Sequence, residues 1–325
     1  MGKTAENALL QYEAGQNVTD MSALTDSGDH QKYTSDAELW SAKSGFAPAV
    51  RPDGVKTGGK VVPGASNDTV GVAAATVNQG GTEKSVAAAT SIAVARPTTG
   101  THIIHSIVVN DSGAFSAVAG DEGSSFSETR GGAGGPPYIP AGQIEVGQVR
   151  LSSQTAAPVK STEIYQVVGK HLERYSYPLW KELNNEGAVE FVAALPLIHT
   201  GDTPKGVYAS YAEPIFADLD ETAGFVPPEK SYSVSSQPIY GGVLGSRSSS
   251  LGQGSFTAYL SSGVADAVVA EKGQNLWFKF FPDRYALDHL LCQGVLGISR
   301  QYPADGNMVA NCTISATEEG QEVTA

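Results

Sequence analysis

The stretch Arg300–Thr317, RQYPADGNMVANCTISAT, decides the reading of the fold. Apolar and polar residues alternate on both sides of Pro303-Ala304-Asp305-Gly306. Strict alternation is the pattern of a half-buried strand, and Asp-Gly is a strong hairpin signal. No residue in the stretch is one that catalysis would select, so the hairpin is read as structural.

Working back from it, GSFTAYL (254–260) alternates as a strand, SSGVADAVVAEKG (261–273) suits a short helix, and NLWFKFFPD (275–283) is a strand. In the last, Trp277, Lys279 and Phe281 share one side and Leu276, Phe278 and Phe280 the other. The order of strand, helix, aromatic strand and hairpin resembles the tail tube (major tail) proteins of long-tailed bacteriophages. The residues that carry the resemblance are Arg300, Pro303, Asp305, Gly306, Val309, Asn311, Thr313 and Ile314. It covers the chain from about residue 251 to its end, and residues 161–250 more loosely. The closing SATEEGQ departs from the Gly- and Ser-rich strand end common in that family.

The resemblance implies a mainly β protein: a β-sandwich or barrel of the tail-tube type with a short helix on its flank. It also implies self-assembly into hexameric rings stacked in a tube, other tail proteins at the tube ends, and DNA passing the lumen without specific binding. The location implied is the virion tail, after synthesis in the host bacterial cytoplasm, with no membrane insertion.

Residues 58–160 lie outside the resemblance. Here small residues dominate, and TVGVAAATV, SIAVARP, HIIHSIVV and AFSAVAG are short β-prone runs spaced by Gly, Asn, Asp or Pro. That spacing predicts an inserted Ig-like or small β-sandwich domain projecting outwards, with 1–57 and 161–325 forming the tail tube domain. Within 1–57, ENALLQ is open between strand and helix, and Trp40 with Phe46 forms an aromatic anchor. Further on, TEIYQVVGKHLERYSYPLW predicts a strand ending near Tyr175, and Pro178 introduces a short helix carrying Trp180 and Leu183. AVEFVAALPLI and GVYASYAEPIF read as a strand pair joined by HTGDTPK, and 222–254 as a long loop or β-arm.

The formal charge is −13, which opposes phosphate binding because nucleic-acid affinity rests on Lys and Arg. For a channel wall this suggests carboxylates, with Glu186, Glu190, Asp218 and Asp220 as the lining candidates; ordinary solvated charges are the plain alternative. Two cysteines, Cys292 and Cys312, are too few for a disulfide framework. His102 and His105, three apart on a strand, point to opposite faces and do not share a metal. GSRSSSLGQGS lacks a nucleophile elbow and GGAGGPP lacks the Lys-Ser/Thr ending of a phosphate loop. The expectation is therefore no enzyme, no cofactor and no metal. The alternative class is a β-rich surface adhesin or glycan-binding module.

Overall fold

The computed structural model describes residues 5–43, 46–166, 179–183, 186–200 and 202–324. The protein is mainly β, with 53% strand and 3% helix. Contacts divide it into two compact units: Met1–Val18, Leu39–Ala47 and Tyr211–Ala325 in the first, Thr19–Glu38 and Pro48–Ser210 in the second.

The first unit is built on one antiparallel sheet. Its strands run, edge to edge, Ala212–Leu219, Leu9–Val18, Asn275–Phe281, His289–Gln301, Val309–Ser315, Gly254–Tyr259 and Thr222–Val226, and Gln321–Val323 pairs with the start of the His289–Gln301 strand. The two end strands are consecutive in the chain, joined only by Asp220 and Glu221. The sheet must therefore curl until its edges approach at that corner, as a barrel does. Inside the curl pack Leu10, Tyr12, Phe256, Leu276, Phe278, Leu296, Cys312 and Ile314. Phe225 stacks on Phe280 with ring centroids 4.5 Å apart. The expected alternation of the Asn275–Phe281 strand is present: Leu276 and Phe278 enter this core, while Trp277 packs on the other side with Leu39 and Leu291.

The strand reading of ENALLQ holds from Leu9 onward. Trp40 is 1% exposed, stacks on Tyr211 and accepts at its carbonyl the Trp277 indole N–H at 2.7 Å. Glu13, wholly buried, takes a bond from the Ser41 hydroxyl and, at 3.2 Å, from the Trp277 amide. Burial pushes its carboxyl up, against those hydrogen bonds. A segment with little secondary structure is thereby fastened to the sheet by one carboxylate and one indole.

Cys292 and Cys312 are buried free thiols on neighbouring core strands. Burial pushes both up to about 12. Native protein at pH 8 should therefore react with no thiol reagent on the minute scale, and denatured protein should titrate both; rapid native labelling would contradict this core.

The second unit contains several small sheets. Ile103–Val109 and Ile144–Leu151 pair along their length and are buried throughout. Their inner face packs against Val61, Val70, Val77 and Val94. All four small-residue runs foreseen in 58–160 carry strands. The unit, however, is wider than 58–160. Val55 belongs to the same core, Ile164 packs on it, Gly54–Gly58 pairs with Ala75–Gln79, and Ile164–Tyr165 pairs with Ile144–Leu151. Cuts at 57/58 and 160/161 would pass through one core, and this is why the compact unit takes in flanking residues on both sides.

Two local expectations are corrected. Trp180–Leu183 is a strand, not a helix: it pairs residue for residue with Ala188–Phe191, Trp180 opposite Phe191. Gly187, at φ +55° with Ala37 O 2.1 Å from where a Cβ would stand, allows that carbonyl's close approach, and cross-strand pairing outweighs the helix-start signal of Pro178. The runs AVEFVAALPLI and GVYASYAEPIF do not pair together; Ala188–Phe191 joins Lys32–Thr34, Val207–Ser210 joins Ala49–Pro52, and Ala212–Leu219 joins Leu9–Val18. Of the run expected as a strand to Tyr175, Thr162 and Glu163 lie in a short 3-10 turn and Ile164–Tyr165 is strand, while residues 167–178 lie outside the described residues.

Candidate assembly surface

The segment 222–254 takes the β-arm form. Thr222–Val226 pairs with Gly254–Tyr259, and beyond Pro227-Pro228 the same two chains continue as Lys230–Ile239 paired with Gly242–Leu251 in unbroken register. Prolines cannot donate ladder bonds, so the ribbon is interrupted there and resumes after Gly252 N–H donates to Glu229 O at 2.8 Å. Lys230–Ile239 is exposed at every residue. On one face Ser231, Ser233 and Ser235 bond Ser250, Ser248 and Ser246 hydroxyl to hydroxyl, at 2.6–2.8 Å. On the other stand Tyr232 and Val234, and at the tip Ile239, Tyr240 and Leu244 are more than half exposed. A free two-stranded ribbon is marginal in water at best, and this one leaves these apolar side chains more than half exposed.

At the other end of the Thr222–Val226 and Gly254–Tyr259 pair a cavity of about 440 Å³ opens. Tyr12, Leu219, Tyr259, Leu260 and Val268 line it, with Asp218, Asp220 and Glu221 at the corner. Asp266 beneath it is a structural carboxylate: despite some burial, the Ser261 hydroxyl and the Ser262, Ser261 and Gly263 amides hold it down at about 2.

The hairpin of Arg300–Thr317 has its own task. Arg300 Nη1 and the Tyr302 hydroxyl both donate to Gly263 O, at 2.8 and 2.7 Å, fixing the turn before the short helix Ala267–Ala270. Pairing resumes at Gln301 opposite Val309, so the connection is a loop over 302–308, longer than a tight turn. Pro303, Asp305 and Gly306 are exposed within it. Asn311 and Thr313 stand on the outer face, opposite Ser299 and Gly297, while Ile314 is buried. That outer face, with Ser255, Thr257, Ser299, Asn311, Thr313 and Ser315, carries hydroxyls and amides and no charge.

The four acids expected at a channel divide between the units. Glu186 pairs with Lys32, and Glu190 with Lys181 at 2.7 Å, both in the second unit. Asp218 accepts from Gln11 Nε2 at 2.7 Å, and Asp220 is exposed at the corner, both in the first. Each unit therefore carries two of the four. His105 is buried with its Nε2 2.7 Å from Ala95 O, while His102 packs edge-on to Phe126, in keeping with opposite faces. Sequence reading did not find Glu13, Glu145 or Arg130, since a lone acid or arginine in a β run carries no positional signal.

Compared with known protein families, curated proteins and solved structures, the chain finds no match.

Proposed function

We propose that the chain is a structural subunit that assembles with copies of itself, and specifically the tail tube subunit of a long-tailed bacteriophage, stacking as hexameric rings around a DNA channel in the virion tail. The observation that carries the reading is the exposed ribbon projecting from a curled antiparallel sheet. A fold that leaves ten-residue strands and an apolar tip in solvent gains most by burying them on another subunit. The two strands that end the sheet give neighbouring copies an edge to continue. Together with the order of elements in the C-terminal part, these features favour a self-assembling wall over a monomeric binder.

On this reading the wall facing DNA must avoid salt-dependent phosphate contacts. The uncharged outer face of the Gly254–Tyr259, Val309–Ser315 and His289–Gln301 strands meets that requirement, and of the four candidate acids Asp218 and Asp220 belong to the same unit. Glu186 and Glu190 serve less well, since lysines neutralise them. Other tail proteins would cap the tube ends.

Negative-stain microscopy of the purified protein tests the reading. Rings or tubes are expected; a stable monomer that binds glycans would overturn it in favour of an adhesin. A density map of such tubes with a channel lined by Lys and Arg would overturn the account of the wall.

A further inference from the structure

The ribbon and the cavity stand at opposite ends of one strand pair. Thr222 pairs with Ala258 at the cavity end, and Val226 with Ser255 at the ribbon end. A chain cannot easily fold its own tip back along the barrel, since each ribbon strand is extended for ten residues, about 34 Å at the usual rise. A second copy placed head to tail can receive it.

We propose that the tip of the ribbon, with Tyr240 as its anchor, docks in the cavity beside Asp220 on a second copy of this chain. This rests on the self-assembly reading and names the contact. Tyr240 is fully exposed, and aromatic side chains at the centre of a patch are the usual anchors of interfaces. The cavity presents Tyr12, Tyr259, Leu260 and Val268, a lining suited to an aromatic ring, with carboxylates at its rim to accept the phenol hydroxyl. Charge is complementary as well. Arg247 is the one charged residue of 231–251, Lys230 at the ribbon's base being paired with Glu319, whereas the rim holds Asp218, Asp220 and Glu221. A donor at one end and a receptor at the other form a heterologous contact, which repeats indefinitely along an axis unless it closes into a ring. The inferred contact thus has the polarity that stacking requires.

The test uses full-length Ile239→Cys, which keeps the Tyr240 anchor, and Asp220→Cys proteins, separately and mixed in equal amounts under mild oxidation. The native cysteines are buried and do not compete. The mixture is expected to give a disulfide-linked dimer several-fold in excess of either protein alone. Tyr240→Asp, which should leave the monomer folded because the side chain is fully exposed, is expected to abolish assembly in sedimentation. If the wild type assembles while the mixture cross-links no better than the single variants, or Tyr240→Asp assembles normally, the contact is wrong and the tube reading stands. A wild type that stays monomeric overturns both.

Discussion

Replacing Glu145 with alanine is expected to cost the second unit about 3–5 kcal/mol of stability. Glu145 is 1% exposed on the strand Ile144–Leu151, where its carboxylate accepts from Ser106 Oγ at 2.6 Å, from Gln148 Nε2 at 3.0 Å and from Arg130 Nη2 at 2.6 Å. Burial pushes the carboxyl up; Arg130 and the hydrogen bonds oppose that. Arg130 comes from the loop over 120–137, and also donates to Pro137 O. A second pair runs with the signs reversed, Arg150 of the strand to Glu128 of the loop at 2.6 and 3.0 Å, with the guanidinium 4.4 Å from the Tyr165 ring centroid. The Gly-rich loop is thus tied to this strand by two crossed ion pairs, besides backbone bonds such as Gly123 N–H to His102 O at 2.9 Å. Alanine at 145 leaves Arg130 charged, half its bonds lost and little water to replace them, and that uncompensated charge sets the cost. Removing both partners, Glu145→Leu with Arg130→Met, should restore most of the loss, since an apolar pair needs no compensation. Hydrogen exchange of Ile103–Val109 and Ile144–Leu151 reads the effect in this unit alone. A loss below about 1 kcal/mol for Glu145→Ala, the level of an exposed pair, would show that the loop is held some other way.

How far such features could be read in advance depends on whether their cause is local. The final strands were legible because alternation in NLWFKFFPD and MVANCTIS reports a one-sided core directly, and the core residues Leu276, Phe278, Cys312 and Ile314 follow from it. Trp180–Leu183 misled because four residues after a proline hold no period long enough to separate helix from strand; its state is set by Phe191 and Val189 across a turn. Domain limits failed at Val55 and Ile164 for a related reason. Composition changes at 58 and 160, but a core extends to whatever apolar residues the pairing brings in. For the candidate site, the Ser- and Gly-rich text of 230–251 gave an arm without its form. The unbroken register is marked by hydroxyl pairs between the two strands, such as Ser233 with Ser248, that only the folded ribbon brings opposite each other. The cavity was invisible for the same reason, since Tyr12 and Tyr259 are remote in sequence.

Excising the ribbon should separate folding from assembly. With Ser231–Ser250 replaced by Asn-Gly, a pair suited to a two-residue hairpin, Lys230 and Leu251 are already opposite each other and the shortened chain can close. The first unit's core contains no ribbon residue beyond partly buried Leu251, so the midpoint of thermal unfolding should move by no more than a few degrees. Assembly should respond very differently. The ribbon holds much of the exposed apolar surface of its unit, Tyr232, Val234, Ile239, Tyr240 and Leu244, and a contact of about 4 kcal/mol lost per subunit raises the concentration needed for assembly about a thousandfold. Sedimentation across that concentration range, paired with thermal unfolding of the same sample, measures both quantities. A shortened protein that folds and still forms tubes at the wild-type concentration would leave the edge strands Ala212–Leu219 and Thr222–Val226 to carry assembly and the ribbon without a part in it. One that fails to fold would mean that the hydroxyl ladder is needed to set the register of the Thr222–Val226 and Gly254–Tyr259 pair, and so that the curled sheet depends on a ribbon lying outside its core.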